Sequence, residues 1–393
     1  MAPMNPPSTL HGRDIVCVGF ADWDTELWTN QHHLMSRLAR HNRVLFIESL
    51  GLRRPQLAGR DLRRIIRRLA RGLAPPRERD GLHVLSPLVI PLHGNSLVRR
   101  LNARLLPALV GRAMRRLGLE RPILWAYVPQ AETLIEELDP SLVVYHCVDD
   151  IAAHGLIDTA SFRAAEERFA RRADLVLASA PELIRRMRTL SENVLAAPNV
   201  ADTGLFATAL EDGAPDPGMA ALPSPRIVFT GAISAVKLDI GLLVELARLR
   251  PHLTLALVGP VGAGDPHTDV SALAAEPNVH LLGMRSYEQL PAVLRAADAG
   301  LIPYASNELT DSIFPMKVYE YLAAGLPTVS TPLPALEGLT EVLRATDAKG
   351  IAELLDRALA EDTPELRAER SRAAMAHSWD SRLREITTAI EAL

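Results

Sequence analysis

The feature that most constrains this chain is an alternation that runs from residue 14 almost to the end. Short apolar runs of four to seven residues recur, each followed by a stretch of helical periodicity. Nearly continuous apolar runs mark strands buried on both faces, and intervening helices return the chain so that the next strand lies parallel. The alternation predicts α/β architecture on parallel sheets.

In the first half the strand-like runs are DIVCVGF (14–20), RVLFIES (43–49), the weaker LHVLSPL (82–88), PILWAYV (122–128), LVVYHCV (142–148) and LVLASA (175–180). Helical patterns fall at 25–40, 96–117, 160–172 and 181–190. A stretch rich in Pro, Gly, Asp and Ala, 199–225, interrupts the pattern. It restarts at RIVFTGA (226–232) and continues through LTLALVGP (253–260), NVHLLGM (278–284), AGLIPY (299–304), LPTVST (326–331) and a short run at 342–345. Helices are expected at 239–249, 286–297, 315–324 and 349–359, and again after 364 with a break at HSWDS (377–381). A chain of 393 residues exceeds the roughly 250–300 at which one core stops growing. Two doubly wound domains are therefore expected, 1–204 and 205–376, with a closing helix, 377–393, packing back on the first. Ligands would occupy the cleft facing the carboxyl ends of both sheets.

Hydrophobic residues make up 48% and charged ones 23%, the balance of an ordinary globular protein. The start, MAPMNPPSTLHGRD, has no basic region followed by an apolar run, and no segment approaches the roughly 18 apolar residues of a membrane span. A cytoplasmic location is the expectation. Cys17 and Cys147 each sit in an apolar run with no CxxC or Cys/His cluster, which argues against disulfides and zinc. The net charge of −4 hides an asymmetry: residues 1–204 carry 28 Arg/Lys against 22 Asp/Glu, and residues 205–393 carry 15 against 25. The basic half is expected to face an anionic surface or substrate.

The densest chemistry lies in PMKVYEYLAAGLPTVST (315–331). Pro315 suits the first turn of a helix, and Gly325 with Pro327 suits its end. Such a helix start offers free N–H groups and a partial positive charge to a phosphate. Lys317 and Glu320, three apart, share a face. An ammonium there can hold a diphosphate, and a carboxylate one turn on can accept two hydrogen bonds from a ribose. The plainer reading is an amphipathic helix with a surface ion pair. Against it stands the scarcity of lysine: among 43 basic residues only Lys237, Lys317 and Lys349 are lysines. Lys237 follows Gly231 in FTGAISAVKLDI, a second strand-glycine-loop-helix unit that aims a cation at the same edge.

The segments RIVFTGAISAVK, LALVGP, NVHLLGMRSYEQLPAVLRAADAGLIPY and PMKVYEYLAAGLPTVSTPLP resemble the GT-B glycosyltransferases of family 4, also called group 1 transferases. The resemblance is strong over 225–345 and diffuse before it. It implies a GT-B fold, two Rossmann-like domains facing a cleft. It also implies a nucleotide-diphosphate sugar as donor, no metal or other cofactor, and retention of anomeric configuration. By position, Glu320 matches the second member of the family's glutamate pair, which binds ribose, and Lys237 the lysine that meets the diphosphate. Gly283, Met284 and Arg285 fall where backbone groups meet the base, and Gly19 in the loop over the phosphates. Phe314, Pro315 and Met316 complete the donor set with Lys317, which is expected to serve catalysis with Lys237. Two positions depart from the pattern. Ser312 stands eight residues before Glu320, where the first glutamate belongs, and Ala232 stands where an arginine usually follows the glycine. Glu308 or Asp311 is a candidate to approach the donor sugar instead. NELT followed by PMKVYEYLAAG is closest to a subgroup that assembles bacterial surface polysaccharides. The implied activity is that of a hexosyltransferase acting on a glycan, lipid-linked or small-molecule acceptor. A non-catalytic binding partner and a sugar-nucleotide epimerase of the same fold are the alternatives.

In the first half, WDTELWTNQHHLMSRLA places Asp22, Trp23, Trp28, Gln31 and His32 near the expected cleft, where aromatic faces and amides suit a sugar acceptor. Helix packing by the tryptophans is the competing reading, and the metal-binding string Asp22-x-Asp24 a minor one. VVYHCVDD brings His146, Asp149 and Asp150 to a strand end; any one of the three is a candidate to orient the acceptor or take its proton. The basic region from Arg53 to Arg79 includes RDLRRIIRRLARG, which separates Leu62, Ile65, Ile66 and Leu69 from arginines. That pattern suits a helix lying on an anionic membrane, which adds peripheral attachment at the inner face of the cell membrane as an option. No aromatic-interleaved basic motif points to nucleic acid.

Overall fold

The computed structural model describes residues 10–25, 28–50, 74–87, 96–154, 158–263 and 265–393. The arginine-rich stretch 53–71, and the membrane-facing helix expected there, lie outside the described residues. Two compact units emerge, one of Met1–Pro198 with Leu383–Leu393, the other of Asn199–Arg382. Among the described residues no helix is long and apolar enough to cross a membrane.

The first unit is built on an eight-stranded sheet of order β3-β4-β2-β1-β5-β6-β7-β8. Its strands are β1 (Asp14–Val18), β2 (Arg43–Ile47), β3 (Arg77–Arg79), β4 (Leu82–Leu85), β5 (Ile123–Ala126), β6 (Leu142–Cys147), β7 (Leu175–Ala178) and β8 (Val194–Ala196). All pairings are parallel except β3 with β4. Each residue of β1 is buried, as a central strand covered on both faces demands. Sequence reading missed β3 and β8: RER and VLA, three residues each at the sheet's margins, are too short to show a period.

The second unit has six parallel strands, order β11-β10-β9-β12-β13-β14. They are β9 (Arg226–Thr230), β10 (Thr254–Val258), β11 (Val279–Gly283), β12 (Ala299–Ile302), β13 (Thr328–Ser330) and β14 (Val342–Arg344). The chain winds outward from β9 through β10 to β11, then returns to β12 beside β9 and winds the other way. This reversal makes the carboxyl ends of β9 and β12 a topological switch point, where crossovers diverge and leave a crevice. The first unit repeats the plan, with its switch between β1 and β5.

Helix boundaries follow local chemistry. Ile240–Leu249 begins after Asp239, whose side chain accepts from the Leu242 N–H at 2.8 Å. Ser96–Leu117 has the bounds its pattern predicted, Pro107 included. The helix expected over 315–324 is shorter, Lys317–Ala323. The N–H groups of Val318 and Tyr319 bond back to Pro315 and Met316, so those two residues form a lead-in turn rather than helix. The pattern 25–40 yields Asn30–Leu38, and 286–297 yields Leu290–Arg295 after a 3₁₀ turn, Tyr287–Gln289.

Candidate functional site

The carboxyl edge of the second sheet is built around two glycines. Gly231, which ends β9 at φ +123, bonds through its N–H to Val258 O at 2.8 Å. Gly259 ends β10 at φ +154, and a Cβ there would stand 1.9 Å from Gly231 O. Neither position accepts an L side chain without strain, since both lie at positive φ and, at Gly259, the two strand ends touch backbone to backbone. A Cβ on Gly231 would lie 2.7 Å from both Cε and Nζ of Lys317. The Lys317 ammonium therefore rests on the end of β9, beside the switch point, 5.4 Å from the centre of the Phe229 ring.

Tyr321 fixes that placement. Its hydroxyl accepts from Thr230 N at 2.8 Å and lies 3.2 Å from Thr230 Oγ1, while its ring takes the space a side chain at Gly300 would need. The preceding turn is held as well. Phe314 O accepts from Asn199 Nδ2 at 3.0 Å, and Phe314 stacks on Tyr319, which stacks on His377. Helix Lys317–Ala323 is thus pinned at both ends within its unit.

Glu320 lies three residues beyond Lys317 and is 6% exposed. Burial raises its carboxyl above the usual range, partly opposed by the Lys317 charge. Among the described residues no hydrogen bond or ion pair within 4.0 Å engages its carboxylate. The hydroxyls of Ser312 (1% exposed) and Ser234 (2% exposed) are likewise buried without a partner. Buried polar groups are nearly always paired, so these two hydroxyls leave hydrogen bonds for a polar ligand to complete, as do buried groups elsewhere such as Gln31 Nε2 and Tyr127 OH.

Lys237 belongs to the 231–239 loop, which is laced to its neighbours. Ile233 N bonds to Pro260 O, Ala305 N to Lys237 O at 2.8 Å, Asp239 N to Pro303 O, and Asn307 Nδ2 to Val236 O. The half-buried Lys237 thus sits on a braced loop between the ends of β10 and β12. Among the described residues no carboxylate lies within ion-pair distance of Lys237 or Lys317, whereas Lys349 pairs with Glu353 at 4.0 Å. The two lysines singled out by sequence are the two left uncommitted.

The remaining donor-side residues are distributed as follows. Gly283, at φ +71, ends β11, two strands and so about 10 Å from β9 along the same edge. Met284 follows it. The Arg285 guanidinium is committed to Asp216, Nε to Oδ2 at 2.7 Å and Nη2 to Oδ1 at 3.2 Å, and its hydrogen bonds hold Asp216 below the usual carboxylate range. Ser312 closes the four-residue helix Glu308–Asp311, in which Glu308 is exposed and Asp311 half-buried.

In the first unit the picked residues divide between surface and interior. Asp22 is exposed, and Trp28 and Asp149 are half-buried. Trp23 is 2% exposed: its indole N–H donates to Asp80 Oδ2 at 2.8 Å, its backbone N–H to Glu48, and its ring packs on Phe46. Gln31 is fully buried and accepts from Phe20 N at 3.0 Å, which fixes the loop after Gly19. Gly19 itself has no room for a side chain, with Phe46 Cζ 2.5 Å from where a Cβ would be. His146 stacks on Tyr127 in the interior. Asp150 is paired with Arg163 and, at 2.9 Å, with Arg186, which also reaches Glu166 at 3.0 Å. Asp24 is held by Arg77 at 2.8 Å. Among the described residues no group of three or more His, Cys, Asp or Glu side chains is placed to hold a metal ion.

Sequence reading missed Gly259, Tyr321, Phe229 and Ser234. Only Gly259, a glycine at a strand end in LALVGP, carried a signal of the kind used for Gly231.

Known proteins share this architecture. The family model described as "Glycosyl transferases group 1" matches residues 224–361. A Bacillus subtilis (strain 168) protein named as a teichuronic acid biosynthesis glycosyltransferase, TuaH, is 29% identical over 230 residues, which span 55% of this chain and 57% of that protein. The chain thus spans little more than half the length of this curated relative. Among solved structures, sucrose-phosphate synthase from Thermosynechococcus elongatus superposes with a TM-score of 0.68 at 14% identity, covering 97% of this chain and 98% of the other. Anabaena Alr3699/HepE in complex with UDP and glucose gives 0.66 at 17%, covering 97% and 100%. An α,α-trehalose 6-phosphate synthase from Burkholderia multivorans gives 0.65 at 13%, covering 97% and 99%. At these identities the likeness speaks to fold. Residues 224–361 thus match the group 1 glycosyltransferase model, in a chain of GT-B fold.

Proposed function

We propose that this chain transfers a sugar from a nucleotide-diphosphate sugar to an acceptor hydroxyl, with retention and without a metal ion. The observation that carries the reading is the uncommitted trio Lys317, Glu320 and Lys237 around the Gly231–Gly259 contact at a topological switch point. A diphosphate on this edge meets two ammonium groups, and the buried Glu320 carboxylate accepts hydrogen bonds from the two ribose hydroxyls. The base then extends over β10 and β11 towards Gly283, Met284 and Arg285. When the bond from the anomeric carbon to the phosphate oxygen breaks, its electron pair goes to the diphosphate, where Lys317 and Lys237 offset the growing charge. The acceptor oxygen bonds to the anomeric carbon on the face that the leaving group vacates, and its proton passes to the departing diphosphate oxygen. In the first unit Asp150 is held by Arg163 and Arg186, so it is not assigned to the acceptor.

The Anabaena structures hold UDP and UDP-glucose, so UDP-sugars are the first donors to try, followed by GDP- and dTDP-sugars. A thermal-shift panel identifies the donor, and hydrolysis and transfer assays follow its turnover. Glu320→Ala is expected to abolish turnover and weaken nucleotide binding; wild-type affinity in that variant would falsify the assignment. Ser312, in the place of the family's first glutamate, favours a second reading in which the chain binds a donor without turning it over. Stabilisation by a donor with no transfer to glycan or lipid-linked acceptors would select it.

A further inference from the structure

We propose that the helix Ser96–Leu117 is a docking surface for an anionic membrane. Three observations carry this, none of them drawn from the donor site. The first is charge. Residues 51–121 hold 17 arginines against four carboxylates, Asp61, Glu78, Asp80 and Glu120, a net of +13, so the other 322 residues carry −17. The helix itself has six arginines and no acidic residue.

The second is the arrangement of the helix around its axis. At about 100° per residue, Leu101, Arg104, Leu105, Ala108, Arg112, Arg115 and Arg116 fall within a sector of about 120°. Leu101, Arg104, Ala108, Arg112, Arg115 and Arg116 are exposed and Leu105 half-buried. The opposite face is spoken for: Leu106, Val110, Ala113 and Met114 belong to the core of the first unit. The outward stripe is therefore not a core face that lost its partner. The third is commitment. Among the described residues, no carboxylate lies within ion-pair distance of Arg104, Arg112, Arg115 or Arg116, although most other arginines of the first unit are paired.

The partner follows from the mixture of side chains. Leu101, 45% exposed, and Leu105 lie between guanidinium groups along a helix of about 33 Å. Such a surface suits the boundary between anionic headgroups and acyl chains, where arginine binds phosphate and leucine enters the apolar layer. Nucleic acid fits less well, since the stripe offers no aromatic or amide side chain to stack on or read a base.

The test is co-sedimentation of the full chain with vesicles of phosphatidylcholine alone or with about 30% phosphatidylglycerol. Binding is expected only to the anionic vesicles and is expected to fall with added salt. The quadruple variant Arg104→Glu/Arg112→Glu/Arg115→Glu/Arg116→Glu should bind at least about tenfold more weakly. Its circular-dichroism melt should match wild type. Should that variant fail to fold, Arg104→Gln/Arg112→Gln is expected to show a smaller loss in the same direction. Leu101→Asp, at an exposed position, should lower binding at high salt. Full vesicle binding by the folded variants, equal binding to neutral vesicles, or displacement of wild type from vesicles by a DNA duplex at matched phosphate would overturn the proposal. Nucleotide-induced stabilisation, measured alongside, should be the same in all of these variants, which separates this outcome from that of the donor site.

Discussion

The two sheets share one plan and use it differently. In each unit the first strand lies inside the sheet, a glycine with no room for a side chain follows it, and the winding reverses beside it. At the edge of the first sheet the charged groups neutralise one another. Glu48 takes bonds from Trp23 N, Ser86 and Arg77, and Asp150 and Glu166 share Arg163 and Arg186. At the edge of the second, among the described residues, no ion pair within 4.0 Å engages Lys317, Lys237 or the Glu320 carboxylate. Paired charge builds a scaffold, and unpaired charge at a switch point waits for a ligand. The same residue types thus serve stability in one unit and recognition in the other.

Matched substitutions sharpen this contrast. Arg186→Met, which leaves Asp150 and Glu166 to share Arg163 alone, should cost about 1.5–3 kcal/mol of stability, read by denaturant unfolding. Donor affinity of the molecules that remain folded should be unchanged. Lys317→Met should do the reverse, lowering kcat/KM by about 10²–10³ with little change in stability. If both variants lost stability alone, the edges would not differ in kind.

Glu320→Gln tests the price of an orphaned carboxylate. Its folded pKa is raised above the ordinary 4.5, so the folded state holds its proton more tightly. Stability then falls as pH rises from 4.5 through the raised value, because the unfolded chain ionises first. Glu320→Gln should therefore melt higher than wild type at pH 8, with the advantage vanishing near pH 4, while the nucleotide-induced shift is lost. A lower melting temperature at pH 8 would contradict the account of Glu320. Lys237→Ala should weaken donor binding about tenfold, as loss of one charge-assisted bond does. Smallest of all, Trp23→Phe should cost about 1 kcal/mol, by removing the bond to Asp80, without touching donor affinity. A change in donor affinity there would move Trp23 out of the scaffold.

Much of this was readable in advance, for identifiable reasons. Strand runs such as DIVCV and RIVFT show through because central parallel strands are buried on both faces, and a sequence records that as an unbroken apolar run. That Lys317 and Glu320 share a helix was legible because their spacing is local. The settings of Trp23, Gln31, His146 and Asp150 were not, since their partners are distant: Asp80 is 57 residues from Trp23, and Arg186 is 36 from Asp150. Which side of a strand end faces solvent depends on such partners, and topology alone brings them together. Ser234 was hidden for the same reason, one serine in a loop whose bracing comes from Pro260 and Ala305.

The most direct measurement is calorimetric titration of the nucleoside diphosphate of the best donor into wild type, Arg186→Met, Lys317→Met and Glu320→Gln at pH 7.5. The account predicts equal affinity in wild type and folded Arg186→Met, and at least about tenfold weaker binding in both second-unit variants. Wild-type affinity in Lys317→Met and Glu320→Gln would show that the nucleotide binds elsewhere.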